Sequence, residues 1–131
     1  MSERVETGAI LIIDDEIEIC LNLQDMLQLE DYRADYATTA KEALAKIAAC
    51  EYALILVDVK LEGEVTGIEI IRSFRPREKR PKIIVISAIP REVLTPIFDR
   101  EALEDLIDGM LDKPACCDPG RLMGLIKRVL G

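Results

Sequence analysis

The sequence predicts an α/β fold in which a parallel sheet is covered by helices on both faces. Two continuous apolar runs, 9–13 and 53–57, have the length of strands buried on both faces, and each is followed at once by carboxylates. A third run, 82–86, ends at Ser87. The stretches between these runs carry amphipathic helical patterns, and such alternation is typical of parallel sheets with right-handed crossovers.

Five strands are predicted to alternate with five helices. The strands are expected over 9–13, 32–37, 53–58, 82–86 and 110–112, the second of them at an edge because apolar and polar residues alternate along it. The helices are expected over 16–30, from Ala40 to near Cys50, from Ile68 to Phe74, within 90–108, and from Asp118-Pro119 onward. We find no internal repeat other than this alternation of strand and helix, and no segment with the composition of a linker.

Local signals mark where these helices begin and end. The segments 39–42 and 66–69 match the capping box, in which a Thr and a Glu satisfy free backbone amides. Asp31 stands where the first helix must stop, and Asp tolerates the left-handed conformation better than most residues. Thr95-Pro96 fits an N-cap followed by a first-turn proline, so the fourth helix is predicted to begin there, with 90–94 as a separate turn.

Length and composition indicate one domain, 1–131, with residues 1–8 as a flexible N-terminus. The net charge of −8 argues against nucleic acid as a direct partner of this domain. No apolar stretch is long enough to cross a membrane. The four cysteines have no metal-binding spacing and the chain contains no His, so we expect reduced thiols in a cytoplasmic protein.

The segment 72–82 holds six of the seventeen basic residues. We interpret it as a solvated helix end and loop on the far side of the sheet; the alternative is an anion-binding patch.

Chemistry is expected at the carboxyl edge of the sheet, where open α/β sheets bind ligands. Asp14 and Asp15 follow the first strand, Asp58 ends the third, Ser87 ends the fourth and Lys113 follows the fifth. Clustered carboxylates repel one another unless a cation lies among them, and hard oxygen ligands suit Mg²⁺. Acids, a metal, a hydroxyl and a lysine together favour phosphoryl transfer, with Asp58 as the nucleophile.

Other interpretations of these residues remain. Each one alone is ordinary, and Asp15 could simply cap the first helix; their joint occurrence at strand ends favours a functional set. A small hydrolase that uses Asp58 as nucleophile is disfavoured because the chain offers no His as a general base. A flavin module is disfavoured because no phosphate-binding loop rich in Ser, Thr or Gly follows the first strand.

From about residue 9 to residue 130, the chain resembles the receiver domain of two-component response regulators. The resemblance rests on Leu11-Ile12-Ile13-Asp14-Asp15-Glu16, Leu54-Ile55-Leu56-Val57-Asp58, Val85-Ile86-Ser87-Ala88 and Gly109-Met110-Leu111-Asp112-Lys113-Pro114. It implies the flavodoxin-like fold, a (βα)5 three-layer sandwich whose parallel sheet has the order 2-1-3-4-5.

The resemblance also implies a role for each candidate residue. Asp58 is the phosphoacceptor, Ser87 the switch hydroxyl, Lys113 the phosphate-binding lysine, and Asp14, Asp15, Asp58 and the backbone carbonyl of Lys60 the Mg²⁺ ligands. The phosphoryl donor is a phosphohistidine on a sensor histidine kinase or phosphotransfer protein. The domain is a regulator rather than an enzyme, and it assists its own phosphorylation and dephosphorylation.

Three features depart from the family pattern. Met110 stands where the family has an aromatic residue, the segment from Ser87 to Lys113 is longer than usual, and the loop after Asp58 lacks the usual proline. Two of these lie on the surface that the family uses for output and for homodimers, formed by the fourth helix, the fifth strand and the fifth helix. The sequence therefore does not predict which domain or protein carries the output. An alternative is an atypical receiver that acts as a phosphorylation-independent interaction module.

Overall fold

The computed structural model describes residues 8–59 and 67–131. Its strands are β1 (Ala9–Ile13), β2 (Arg33–Ala37), β3 (Tyr52–Asp58), β4 (Lys82–Ser87) and β5 (Gly109–Asp112). Its helices are α1 (Ile17–Leu29), α2 (Ala40–Ala49), α3 (Gly67–Arg72), α4 (Arg91–Arg100), α5 (Lys113–Cys116) and α6 (Pro119–Leu130), with a 3₁₀ turn over Glu104–Leu106. None of the described helices has the length and apolar character needed to span a bilayer.

The five strands form one parallel sheet of order β2-β1-β3-β4-β5. This confirms the predicted fold class, the sheet order and the edge position of the second strand. The short helix α5, which the sequence pattern did not predict, lies between the fifth strand and the last helix. The predicted fifth helix is therefore α6.

Alternation of side chains along the strands produces two cores, one on each face of the sheet. On one face, Leu11, Ile55 and Val85 pack with residues of α2, α3 and α4. On the other face, the neighbouring strand residues pack with α1 and α6: Ile10, Ile12, Leu54, Leu56, Ile84 and Ile86. Because both faces are covered, the central positions of β1, β3 and β4 are all apolar, which is what made these strands recognisable in the sequence.

Several helix boundaries follow the predicted local chemistry. Asp31 has a φ of 69°, and the Tyr32 amide after it bonds the Leu27 carbonyl, so α1 closes with a left-handed residue as predicted. The Thr39 hydroxyl accepts from the Glu42 amide, and Glu42 in turn accepts from the Thr38 amide. Asp118 caps α6 as expected. Thr66, the N-cap of the other predicted capping box, lies outside the described residues.

The predicted start of the fourth helix at Thr95-Pro96 is wrong. α4 is continuous from Arg91 to Arg100 with Pro96 inside it. The Thr95 hydroxyl donates to the Arg91 carbonyl within this helix instead of capping a new one. Leu94 and Phe98, one turn apart on either side of the proline, are both buried, and this anchorage outweighs the missing amide of Pro96.

Gly67 is fixed by close contact between the start of α3 and the end of β3. Its amide donates to the Val59 carbonyl at 3.1 Å. A Cβ atom at this position would lie 2.3 Å from the Asp58 carbonyl oxygen and 2.6 Å from Val59 Cα. Both atoms belong to the backbone, so a side chain could be accommodated only by moving the end of β3.

Gly67→Ala should therefore lower the free energy of unfolding, by about 2 kcal/mol. The matched control is Gly124→Ala on the exposed side of α6, where no atom would lie within 4 Å of the new Cβ. That control should raise stability by about 0.5–1 kcal/mol because Ala favours helix. Urea unfolding followed by circular dichroism measures both, and similar effects of the two substitutions would contradict the close contact.

Candidate functional site

The candidate residues lie along the carboxyl edge of the sheet. Asp14 directly follows β1, and Asp58 is the last residue of β3, which pairs with β1 so that Ile13 lies opposite Val57. Ser87 is the last residue of β4, and Lys113 directly follows β5. Neighbouring parallel strands thus bring Asp14 and Asp58 side by side at one edge, with Ser87 and Lys113 on the strands beyond.

Lys113 is the centre of this group. Its Nζ lies 2.9 Å from Asp58 Oδ2 and 3.1 Å from Asp14 Oδ2, and it donates to Glu16 Oε2 at 2.6 Å. The side chains of Asp14 and Asp58 are 0% and 4% exposed, and that of Lys113 is 13% exposed. A single ammonium group therefore forms ion pairs with three carboxylates, two of which are buried.

The pKa values of this cluster follow from burial and from these contacts. Burial raises the pKa of Asp14 above its ordinary value, and the Glu16 amide, which donates to Oδ1 at 2.9 Å, and Lys113 work against the rise. Burial alone would lower the pKa of Lys113, but its hydrogen bonds to Glu16, Asp58 and Asp14 outweigh burial and raise it. Lys113 is therefore a permanent cation at neutral pH.

The acids beside Lys113 have the chemistry of a divalent-cation site. Asp14, Asp15 and Glu16 each offer a carboxylate oxygen, and these oxygens lie within 4.8 Å of one another. Among the described residues, Asp14 Oδ2 is a buried side-chain oxygen that accepts no well-aligned hydrogen bond; it contacts Lys113 Nζ at 3.1 Å as an ion pair, and Lys113 donates its hydrogen bond to Oδ1. A buried carboxylate oxygen without a hydrogen bond, grouped with other hard oxygen ligands, fits Mg²⁺. Lys60, whose carbonyl was expected as a further ligand, lies outside the described residues.

Ser87 is buried at the end of β4, with 2% of its surface exposed. Its hydroxyl oxygen accepts from the Ile89 amide at 3.0 Å. That bond uses a lone pair and leaves the hydroxyl hydrogen for another acceptor. The structure thus gives Ser87 a local partner and a position one strand away from Asp58.

Met110 is half-buried and packs against the core beside α4. The Arg91 guanidinium at the start of α4 donates to the Met110 carbonyl at 3.2 Å. A cavity of about 380 Å³ lies between β4, α4 and β5 and is lined by Ser87, Arg91 and Met110 among others. The Arg91 contact was not expected from the sequence, because an Arg on a helix end carries no signal of its backbone partner.

Two buried thiols also contact the site, and neither was expected to do so. Cys20 Sγ donates to the Asp14 carbonyl at 3.2 Å, and Cys116 Sγ donates to the Lys113 carbonyl at 2.9 Å. Burial raises the pKa of each thiol to about 12, so both remain protonated donors at neutral pH. Glu16 was missed as a partner of Lys113, although it directly follows Asp14-Asp15 in the sequence.

Comparisons with known proteins agree with this geometry. A sequence model of the response regulator receiver domain matches residues 10–127. The chain is 30% identical over 106 residues to the uncharacterized transcriptional regulatory protein YkoG of Bacillus subtilis. The aligned region covers 81% of the chain and 41% of that protein. It is 29% identical over 120 residues to the regulatory protein VanRB of Enterococcus faecalis. Here the aligned region covers 92% of the chain and 50% of VanRB. The chain thus spans half or less of these relatives.

Solved structures show the same fold over almost the whole chain. A CheY-like receiver domain from Methanospirillum hungatei superposes with a TM-score of 0.79 at 30% identity, covering 94% of this chain and 93% of that one. The response regulator TrrA of Thermotoga maritima, solved with Mg²⁺ and BeF, gives a TM-score of 0.75 at 28% identity, covering 93% and 98%. The chain therefore belongs to the receiver domain family of the two-component response regulators, with the flavodoxin-like fold that was expected.

Proposed function

We propose that this receiver domain accepts a phosphoryl group on Asp58 in a Mg²⁺-dependent reaction and thereby changes its affinity for a partner. The observation that carries the proposal is the contact of one ammonium group, Lys113, with both Asp58 and Asp14, beside the further carboxylates of Asp15 and Glu16. This is the pairing of nucleophile, cation and metal ligand that phosphoryl transfer requires.

In the proposed reaction, a carboxylate oxygen of Asp58 attacks phosphorus in a phosphohistidine of a histidine kinase or phosphotransfer protein. A P–O bond forms as the P–N bond breaks, and the imidazole leaves with the electron pair of that bond. Lys113, already within 3 Å of Asp58, offsets the negative charge that the phosphoryl group brings. The Ser87 hydroxyl hydrogen, unused in its bond with Ile89, is available to a phosphoryl oxygen.

Asp14, Asp15 and Glu16 would hold the Mg²⁺ ion in this proposal, and the family resemblance adds Asp58 and the Lys60 carbonyl. When bound, the ion would neutralise phosphoryl oxygens that the single lysine cannot neutralise alone. The intact set of acids and lysine favours a phosphoacceptor over a phosphorylation-independent interaction module. The domain would act on its own acyl phosphate rather than turn over an external substrate.

We further propose a cytoplasmic setting, because the phosphoryl donor is a kinase or a phosphotransfer protein. Output would pass to another domain or protein; the relatives' names describe transcriptional regulators, which are longer than this chain. With a net charge of −8, the receiver domain itself is not expected to contact nucleic acid. Dimerisation through α4, β5 and α6 remains a proposal about this output surface.

Incubation with acetyl phosphate and Mg²⁺ should add the mass of one phosphoryl group to the intact protein, and Asp58→Asn should abolish that gain. The amide has no nucleophilic carboxylate but keeps the size of the side chain. Asp25→Asn, at an exposed position on α1, is the matched control and should be modified like the wild type. Intact-mass spectrometry reads all three proteins. The proposal would be wrong if the Asp58→Asn variant still gained the mass of a phosphoryl group, or if the wild type did not.

Mg²⁺ alone should stabilise the wild-type domain by about 1–3 kcal/mol when present at roughly ten to a hundred times its dissociation constant. Asp14→Asn should remove most of this gain, because the amide carries no negative charge and offers the ion only one oxygen. Asp25→Asn should keep it. Urea unfolding with and without Mg²⁺ gives the values and needs no phosphoryl donor. An equal gain for Asp14→Asn and wild type would exclude Asp14 as a ligand.

A further inference from the structure

A second cavity opens at the opposite edge of the sheet from the acids. It has a volume of about 200 Å³ and lies between the end of α2, the start of β3 and the segment that joins α3 to β4. Its lining combines apolar residues such as Ile47, Ile55 and Phe74 with the basic residues Arg77, Lys79 and Arg80. We call it the basal pocket. Tyr52 and Asp58 begin and end the same strand, so the pocket is separate from the proposed phosphorylation site.

The floor of the basal pocket is apolar and fixed. Ile47, Ile55 and Phe74 are buried members of the core. The wall formed by Tyr52 is also held in place, because its hydroxyl donates to Asp35 Oδ2 at 2.8 Å, across the intervening strand β1. A pocket whose walls are already packed needs little ordering when a ligand enters, which favours binding.

The rim of the pocket carries an excess of positive charge. Arg77, Lys79 and Arg80 are exposed there with a single carboxylate, Glu51. The Arg77 guanidinium stacks 5.3 Å above the centroid of the Phe74 ring, which links the charged rim to the apolar floor. Even when the exposed Glu78, which lies between Arg77 and Lys79 in the sequence, is counted, cations outnumber acids here in a chain whose net charge is −8.

These three cations differ from the two arginines just before them. Arg72 forms a salt bridge with Glu101, and Arg75 forms one with Asp105 at 2.9 Å. In the part of the chain that the structure describes, none of the three rim cations forms a salt bridge. The paired arginines hold the end of α3 against the segment after α4. The rim cations line the mouth of the pocket, although Arg80 also lies close enough to Asp105 to help lower the pKa of that carboxyl.

We propose that the basal pocket binds a small organic anion with an apolar body about the size of one ring and a carboxylate or phosphate group. The ring would enter the apolar cavity beside Phe74, and the anionic group would lie against Arg77, Lys79 and Arg80. From the sequence alone this segment is interpreted as a solvated helix end and loop; the cavity behind the three rim cations favours the anion-binding alternative. The proposal does not depend on phosphorylation of Asp58.

The test is a titration of the ¹⁵N-labelled wild-type protein with phenyl phosphate, benzoate, inorganic phosphate and benzyl alcohol, without Mg²⁺. We expect saturable shifts of the Glu51, Tyr52, Arg77 and Arg80 amides with at least one of the two aromatic anions. A ligand of about ten non-hydrogen atoms should have a dissociation constant on the order of millimolar. Inorganic phosphate and benzyl alcohol should bind more weakly, because each lacks one half of the required chemistry.

Two variants separate the pocket from general surface charge. Arg77→Ala with Arg80→Ala should weaken binding by about threefold or more, whereas Lys127→Ala with Arg128→Ala, an equal charge loss on α6, should not. Cys50→Trp should fill the half-buried wall of the cavity and block binding. The proposal is overturned if neither aromatic anion gives saturable shifts, if inorganic phosphate binds as well as phenyl phosphate, or if both double variants lose affinity equally.

Discussion

The structure depends on a balance between buried negative charge and one positive charge. Asp14 and Asp58 are withdrawn from water at the ends of adjacent strands, and Glu16 joins them at Lys113. When the acids are ionised, one ammonium cannot balance the two buried carboxylates in a region of low dielectric constant, and it also contacts the exposed Glu16. Such an arrangement is costly unless another cation completes it, and the grouped oxygens of Asp14, Asp15 and Glu16 are where we propose that such a cation would bind.

Backbone contacts keep these charges in register. The Cys20 and Cys116 thiols each donate to the carbonyl of a residue in the cluster, Asp14 and Lys113 respectively. Gly67 lets α3 begin against the Asp58 carbonyl, where any side chain would force the strand end away. None of these three residues contributes a charge to the cluster, yet each fixes the main chain from which a charged side chain projects. The precision of the site is therefore set by packing around it.

What the sequence predicts well is governed by local chemistry or by burial on both faces. Continuous apolar runs reveal the strands, and the residue after each run must lie at the carboxyl edge, which is enough to assemble the site. Asp31 is predictable because a helix needs a left-handed residue there. Thr95-Pro96 misleads because its local preference is outweighed by the burial of Leu94 and Phe98 from another part of the fold. The thiol contacts could not be predicted, because nothing in the sequence around a buried Cys indicates which backbone carbonyl will accept its hydrogen bond.

The two proposed sites lie at opposite ends of the same strand, and this separation limits how they can influence each other. Tyr52 and Asp58 are six residues apart in β3, a distance of about 20 Å along an extended chain. That is about two and a half times the screening length at physiological salt, so charge at one site acts only weakly on the other through solvent. Any coupling would have to pass through the packed strands themselves. The affinity of the basal pocket for its ligand is therefore expected to be the same whether or not Asp58 is phosphorylated, unless a change at one end shifts β3 against its neighbours.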